Sequence, residues 1–204
     1  MFNKSIEVIK KLKDQQDLEN QDIWTGSKFE AMNDLKIDYS GKVGENVFFP
    51  FLMENTDWSI VYLDNSNTNA GDGVYDGMIN GKRVEVKTAR LGKSTSKYDM
   101  FGGNFQHENL KHGECDYVLF LDYTPNYLLM TVIDFQNINL DESHSVLGIK
   151  PHKRKDTTNI YKLDLKENTS IKKAVDGGIA MKVDENTNDV EIIDFLSKFF
   201  PKAV

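Results

Sequence analysis

With a single cysteine, Cys115, among 204 residues, the chain can form no internal disulfide and no thiolate cluster for zinc. A reducing, cytoplasmic setting is the expectation. Long apolar runs are missing too. The longest are "VFFPFLM" (47–53) and "YLLMTVI" (127–133), far short of the roughly 20 residues that cross a bilayer as a helix. No membrane partner is expected. The opening "MFNKSIEVIKKLKDQQDLEN" interrupts its apolar positions with lysines and acids, so it does not read as a signal peptide. Positive charge is in the minority, with 25 Lys and Arg against 32 Asp and Glu for a net charge of −7. That argues against an indiscriminate coat for nucleic acid, which has a basic bulk charge. It leaves open a nucleic-acid partner bound through a local positive surface.

Hydrophobic residues make up 39% and aromatics 11% of the chain, enough for one sizeable core. The length fits one domain over 1–204, with an N-terminal helical region (1–39), a core (40–135) and a C-terminal extension (136–204). Phe2, Ile6, Ile9 and Leu12 recur at helical spacing, which predicts a surface helix within 2–20. A short helix is expected over 27–36. Another should start from Ser40 as N-cap, with Val43, Val47 and Phe51 every four residues. Pro50 lies in its path and predicts a kink or a break, because an interior proline removes one hydrogen bond.

"DWSIVYLD" (57–64) reads as a strand and "NSNTNAGDG" (65–73) as a loop. "VYDGMINGKRVEVKTAR" (74–90) then gives two strands about Asn80-Gly81, a dipeptide suited to the positive φ angles of a tight hairpin. "LGKSTSKYDMFGGNFQHENLKHGE" (91–114) predicts a glycine-bearing loop running into a short helix near 104–112. "CDYVLFLDY" (115–123) and "YLLMTVIDF" (127–135) are strands joined through Thr124-Pro125-Asn126, "NIYKLDL" (159–165) is a further short strand, and "DVEIIDFLSKFF" (189–200) is a closing helix. The order predicts an α/β (α+β) fold, a central mixed sheet of about five strands flanked by helices.

The turn fixes a register. With Asn80 and Gly81 as the loop, Asp76 falls opposite Glu85, and alternation puts Lys87 on the same face. Tyr75, Val84 and Val86 then point to the core. Two carboxylates placed opposite each other repel. A divalent cation between them reverses that sign, and carboxylate oxygens completed by water suit Mg²⁺. Lys87 would stand beside a metal-bound water or a phosphate oxygen. A charged hairpin facing water is the common meaning of so short a pattern, but here the register itself pairs the acids.

Asp76, the "EVK" of residues 85–87, and Glu45 in "SGKVGENVFF" resemble the catalytic pattern of the PD-(D/E)XK nuclease superfamily, the restriction-endonuclease-like fold. Residues 40–135 carry the resemblance, which includes the expected order of helix, three strands, helix, two strands. It implies that Asp76 and Glu85 bind Mg²⁺, that Mn²⁺ substitutes, that Lys87 polarises the attacking water, and that Glu45 is an auxiliary ligand. Tyr75 stands where the pattern often has proline, and Asp72 is a rival to Asp76. "GGNFQHENL" (102–110) is similar to a family segment that approaches the scissile phosphate, placing Gln106 and His107 there. Lys153, Arg154 and Lys155 form a basic stretch fit for phosphate contact.

The function implied is a Mg²⁺-dependent DNA endonuclease, site-specific on duplex DNA, of a restriction or phage homing type, and dimeric in order to cut both strands. A Holliday-junction resolvase or repair nuclease of the same fold is the nearest alternative. A non-catalytic DNA-binding or protein-interaction module is the alternative from another class.

Overall fold

The computed structural model describes residues 10, 24–63, 75–92, 103–140, 147, 149–152 and 160–202. The expected helix at 2–20, the loop at 65–73 with Asp72, and the basic stretch Lys153, Arg154 and Lys155 lie outside the described residues.

Six strands form the main sheet in the order β1 (Ile60–Tyr62), β2 (Gly77–Ile79), β3 (Lys82–Arg90), β5 (Tyr117–Tyr123), β6 (Leu128–Asp134), β9 (Ala180–Val183). Only β3 and β5 pair in parallel; the other neighbours are antiparallel. A parallel pair requires a crossover, and here that crossover contains β4 (Asn104–Lys111). β4 joins a second sheet of three strands, ordered β4, β8 (Ile160–Lys166), β7 (Lys150–Pro151).

This corrects the expected helix near 104–112. Phe105, His107 and Leu110 are buried while Gln106, Glu108 and Asn109 are exposed, a period of two interrupted by a bulge between His107 and Leu110. Asn109 takes a φ of 59° there. The polar letters of "NFQHENLK" belong to the solvent face of a strand, where they resemble a helix surface only in composition.

Helix α1 (Ile37–Asn55) covers one face of the main sheet. It starts a turn before Ser40, with Lys36 at its N-cap and no side-chain cap, so packing rather than capping sets its start. Thr88 Oγ1 donates to Gly41 O at 3.3 Å. At Gly44, an added Cβ would stand 2.0 Å from Thr88 Oγ1 and 3.2 Å from Val86 Cγ1. Glycine therefore lets the helix lie directly on β3. The helix runs unbroken past Pro50; the bond lost to proline is offset by complete burial of Phe48, Phe49 and Leu52 around it.

The helix expected over 27–36 is a single 3-10 turn, Glu30–Asn33. The strand expected at 57–64 narrows to three residues. Four short elements among the described residues went unforeseen: β7, a π-helical turn at Glu167–Ile171, helix α2 (Lys172–Asp176) and β9. The closing helix α3 (Asp189–Ser197) has a complete capping box: Glu191 N donates to Asn188 Oδ1 at 3.0 Å, and Asn188 N to Glu191 Oε2 at 3.0 Å. Its apolar side, Ile192, Phe195 and Leu196, is buried, as is Phe200 beyond it. Among the described residues no helix is long and apolar enough to cross a membrane.

Candidate active site

The hairpin turn forms at Asn80 and Gly81, with φ angles of 48° and 81°. Ile79 pairs Lys82, Met78 pairs Arg83 and Gly77 pairs Val84, which is the register the turn predicts. The turn is also tied from both sides. Ser59 N donates to Asn80 Oδ1 at 3.0 Å, and Asn80 Nδ2 donates to Phe200 O at 2.9 Å.

The ladder ends at Gly77, one residue short of Asp76. Asp76 is therefore not the direct ladder partner of Glu85 that the register implied. Its N–H donates to Val84 O at 3.0 Å, while its Oδ2 accepts from Val86 N at 2.7 Å. The carboxylate has taken the place of the next backbone carbonyl along β2. Gly77 permits the departure, since a Cβ there would lie 2.5 Å from the Phe49 ring and 2.7 Å from Val61 O.

Asp76, Glu85, Lys87 and Glu45 nonetheless share one electrostatic environment. The Asp76 carboxyl is raised to about 7, first by burial, then by the Glu85 carboxylate; Glu45 adds to the rise, while the Val86 N–H and Lys87 oppose it. Lys87 makes an ion pair with Glu85. Burial pushes the Lys87 ammonium down, but Glu85, Asp76 and Glu45 outweigh that and hold its pKa above the usual lysine value. Three carboxylates thus act on one ammonium, and Asp76 registers the surplus of negative charge. Glu45, half-buried on α1 directly after Gly44, owes its approach to the close seat of that helix on β3.

An Arg83–Asp116 clamp braces the start of β3. Arg83 N and Nη2 each donate to Asp116 at 2.8 Å, and Nε donates at 3.3 Å. Asp116 N donates back to Arg83 O at 3.0 Å. Cys115, next in chain to this clamp, is buried and its thiol is pushed up to about 12, chiefly by burial and then by Glu85. It stays protonated at neutral pH and is no nucleophile.

The donor chemistry fits a hard divalent cation: carboxylate oxygens with surplus negative charge, half-buried so that water can complete a coordination shell. Among the described residues no three His, Cys, Asp or Glu side chains already stand together as a ligand set. Holding such an ion would therefore draw the carboxylates together, and the charge that now repels would provide the attraction.

The remaining predicted residues separate. Gln106 is exposed on β4. His107 points inward, 3% exposed, with Nε2 at 2.9 Å from Asp122 Oδ1 and its ring centroid 4.4 Å from that of Phe120. It is not the surface group of a helix start, so the contact with DNA expected of it is set aside. Asp122, which is fully buried, and Asp116 were not singled out from the sequence. The signal for Asp122 was present: a lone carboxylate inside the apolar run "YVLFLDY" (117–123). No protein-family model matches the chain, and neither the curated proteins nor the solved structures return a match.

Proposed function

We propose that this chain is a divalent-metal-dependent endodeoxyribonuclease with a restriction-endonuclease-like core, acting site-specifically on duplex DNA as a homodimer. The observation that carries this reading is the crowding of Asp76, Glu85 and Glu45 about one lysine, with the Asp76 carboxyl raised to about 7. Structural ion pairs balance their charges; this group does not, and unbalanced titratable clusters are characteristic of functional sites. Two further features support it. The Glu-x-Lys lies on a hairpin strand beside its Asp, and that strand runs parallel to the next core strand, β5.

Asp76 and Glu85 would hold Mg²⁺ or Mn²⁺, with Glu45 as auxiliary ligand. Such an ion, when bound, supplies Lewis-acid stabilisation of phosphoryl charge and a more acidic water. Lys87 contributes its ammonium: Glu85 holds it charged and aimed, so it can donate to a phosphate oxygen or orient the attacking water. Water oxygen bonds to phosphorus and gives up a proton to solvent, the bond from phosphorus to the 3′ oxygen breaks, and that oxygen leaves as a hydroxyl with a proton from solvent. The products carry 5′-phosphate and 3′-hydroxyl ends. Gln106 on the exposed face of β4, with Lys153, Arg154 and Lys155, is assigned to phosphate contacts.

The test is incubation of the purified protein with plasmid and phage DNA, with Mg²⁺ or with chelator. Mg²⁺-dependent cleavage into discrete bands is expected, lost in Asp76→Ala and in Lys87→Ala. Absence of cleavage on every DNA tried, or an Asp76→Ala protein that cuts like wild type, rejects the reading.

A further inference from the structure

The interior holds a second pair of titratable side chains that the proposed reaction leaves unused. His107 on β4 and Asp122 on β5 approach to 2.9 Å, with side chains 2% and 0% exposed. The two atoms are within contact distance but form no aligned hydrogen bond. Neither Asp122 oxygen has a hydrogen-bond partner, nor has buried Thr131 Oγ1. Apolar residues of similar volume generally stabilise such a place at least as well as a buried ion pair. Stability alone therefore does not account for the pair.

Its location does. In the parallel ladder Lys87 neighbours Phe120, and Ala89 neighbours Asp122. Alternation then puts Lys87, Phe120 and Asp122 on one face of the sheet. β4 closes over that face, and the His107 ring lies against Phe120 with the two planes at 49°. Phe120, fully buried, is held between the imidazole and the sheet. It is the cross-strand neighbour of Lys87, whose own side chain is 29% exposed.

We propose that His107 and Asp122 are positioning residues for Lys87, acting through Phe120; the proposal rests on the role given to Lys87 above. Asp122 fixes the imidazole, the imidazole fixes the Phe120 ring, and the ring is the wall along which the aliphatic stem of Lys87 lies. The ammonium is thereby presented at Glu85 instead of swinging into solvent. Neither residue touches substrate.

The experiment uses the full chain and two variants. His107→Phe combined with Asp122→Leu replaces the pair by apolar groups, an exchange that commonly leaves stability unchanged or improves it, and a thermal melt verifies folding. In that variant kcat for plasmid cleavage falls about tenfold with KM unchanged, the signature of a misplaced catalytic group. Reductive methylation of Lys87, read by mass spectrometry against Lys150 in the same sample, becomes faster. Asp122→Asn keeps the shape without the charge and moves both readouts the same way by less. Should the double variant not fold, Asp122→Asn decides, and wild-type labelling of Lys87 in it overturns the proposal. A folded double variant with wild-type labelling overturns it too, even if kcat has fallen, because the loss then arises elsewhere. If wild-type protein cuts no DNA, the nuclease reading falls and the labelling comparison alone decides this one.

Discussion

Two groups of titratable side chains adjoin the main sheet, and they obey opposite rules. Around Asp76 the side chains are half-buried, water reaches them, and three acids face one lysine. Around Asp122 the side chains are sealed, and one acid faces one histidine. The first group is frustrated in a way that a cation would relieve. The second is one acid against one base, closed off from solvent. Residue type does not separate them, since each is a carboxylate beside a base. Stoichiometry and solvent access do.

The contrast is broken most directly by removing one partner of the sealed pair. His107→Ala leaves the Asp122 carboxyl buried without its ion partner, and urea denaturation should show a loss of about 3–5 kcal/mol. Next in size is a steric change beside the open cluster. Gly77→Ala drives a Cβ to 2.7 Å from the Val61 carbonyl; overpacking of this kind costs about 1–3 kcal/mol, and cleavage should fall with it because Asp76 is displaced.

Removing a charge from the open cluster should do the reverse. Asp76→Asn keeps an oxygen for the Val86 N–H while ending the repulsion. The folded Asp76 carboxyl titrates at about 7 against 3.8 for an ordinary aspartate, so the folded chain binds the extra proton between those limits. Wild-type stability therefore declines as pH rises from about 4 to about 7, and the decline is absent in Asp76→Asn. At pH 8 the variant should be the more stable by about 1–2 kcal/mol, a figure discounted for the solvent that reaches the site. Mg²⁺ should raise the wild-type melting temperature more at pH 8 than at pH 6, and the variant's less at both. A flat pH profile for wild type would abolish the distinction between the two groups. The smallest effect belongs to Lys28→Ala, which removes a surface ion pair with Glu185 exposed on both sides; no change beyond about 0.5 kcal/mol is expected in the same denaturation.

How much of this was legible in the sequence depended on how local its cause is. Asn80-Gly81 announced its turn because two successive positive φ angles exclude most other residues. The strands at Tyr117–Tyr123 and Leu128–Asp134 were readable from continuous apolar runs. β4 was not, because its alternation is carried by polar residues and one bulge, and its partner strand begins some 50 residues later. The end of the ladder at Gly77 was hidden for another reason. A carboxylate standing in for a backbone carbonyl depends on the Phe49 ring and Val61 carbonyl crowding Gly77, which no local pattern records. Asp76, Glu85 and Lys87 could be named from spacing and Glu45 from the resemblance, but not that Asp76 would be the group to bear the surplus charge.

The hydrogen bond from Asn80 Nδ2 to the Phe200 carbonyl spans 120 positions of the chain. A ribosome delivers the hairpin long before it delivers residue 200, so the nascent hairpin has its turn and register but lacks the brace at its tip. The proposed cutting site thus acquires this support only once residue 200 has been made. For the nuclease proposed above, the order of translation then works as a safety catch, withholding the braced hairpin until residue 200 is in place.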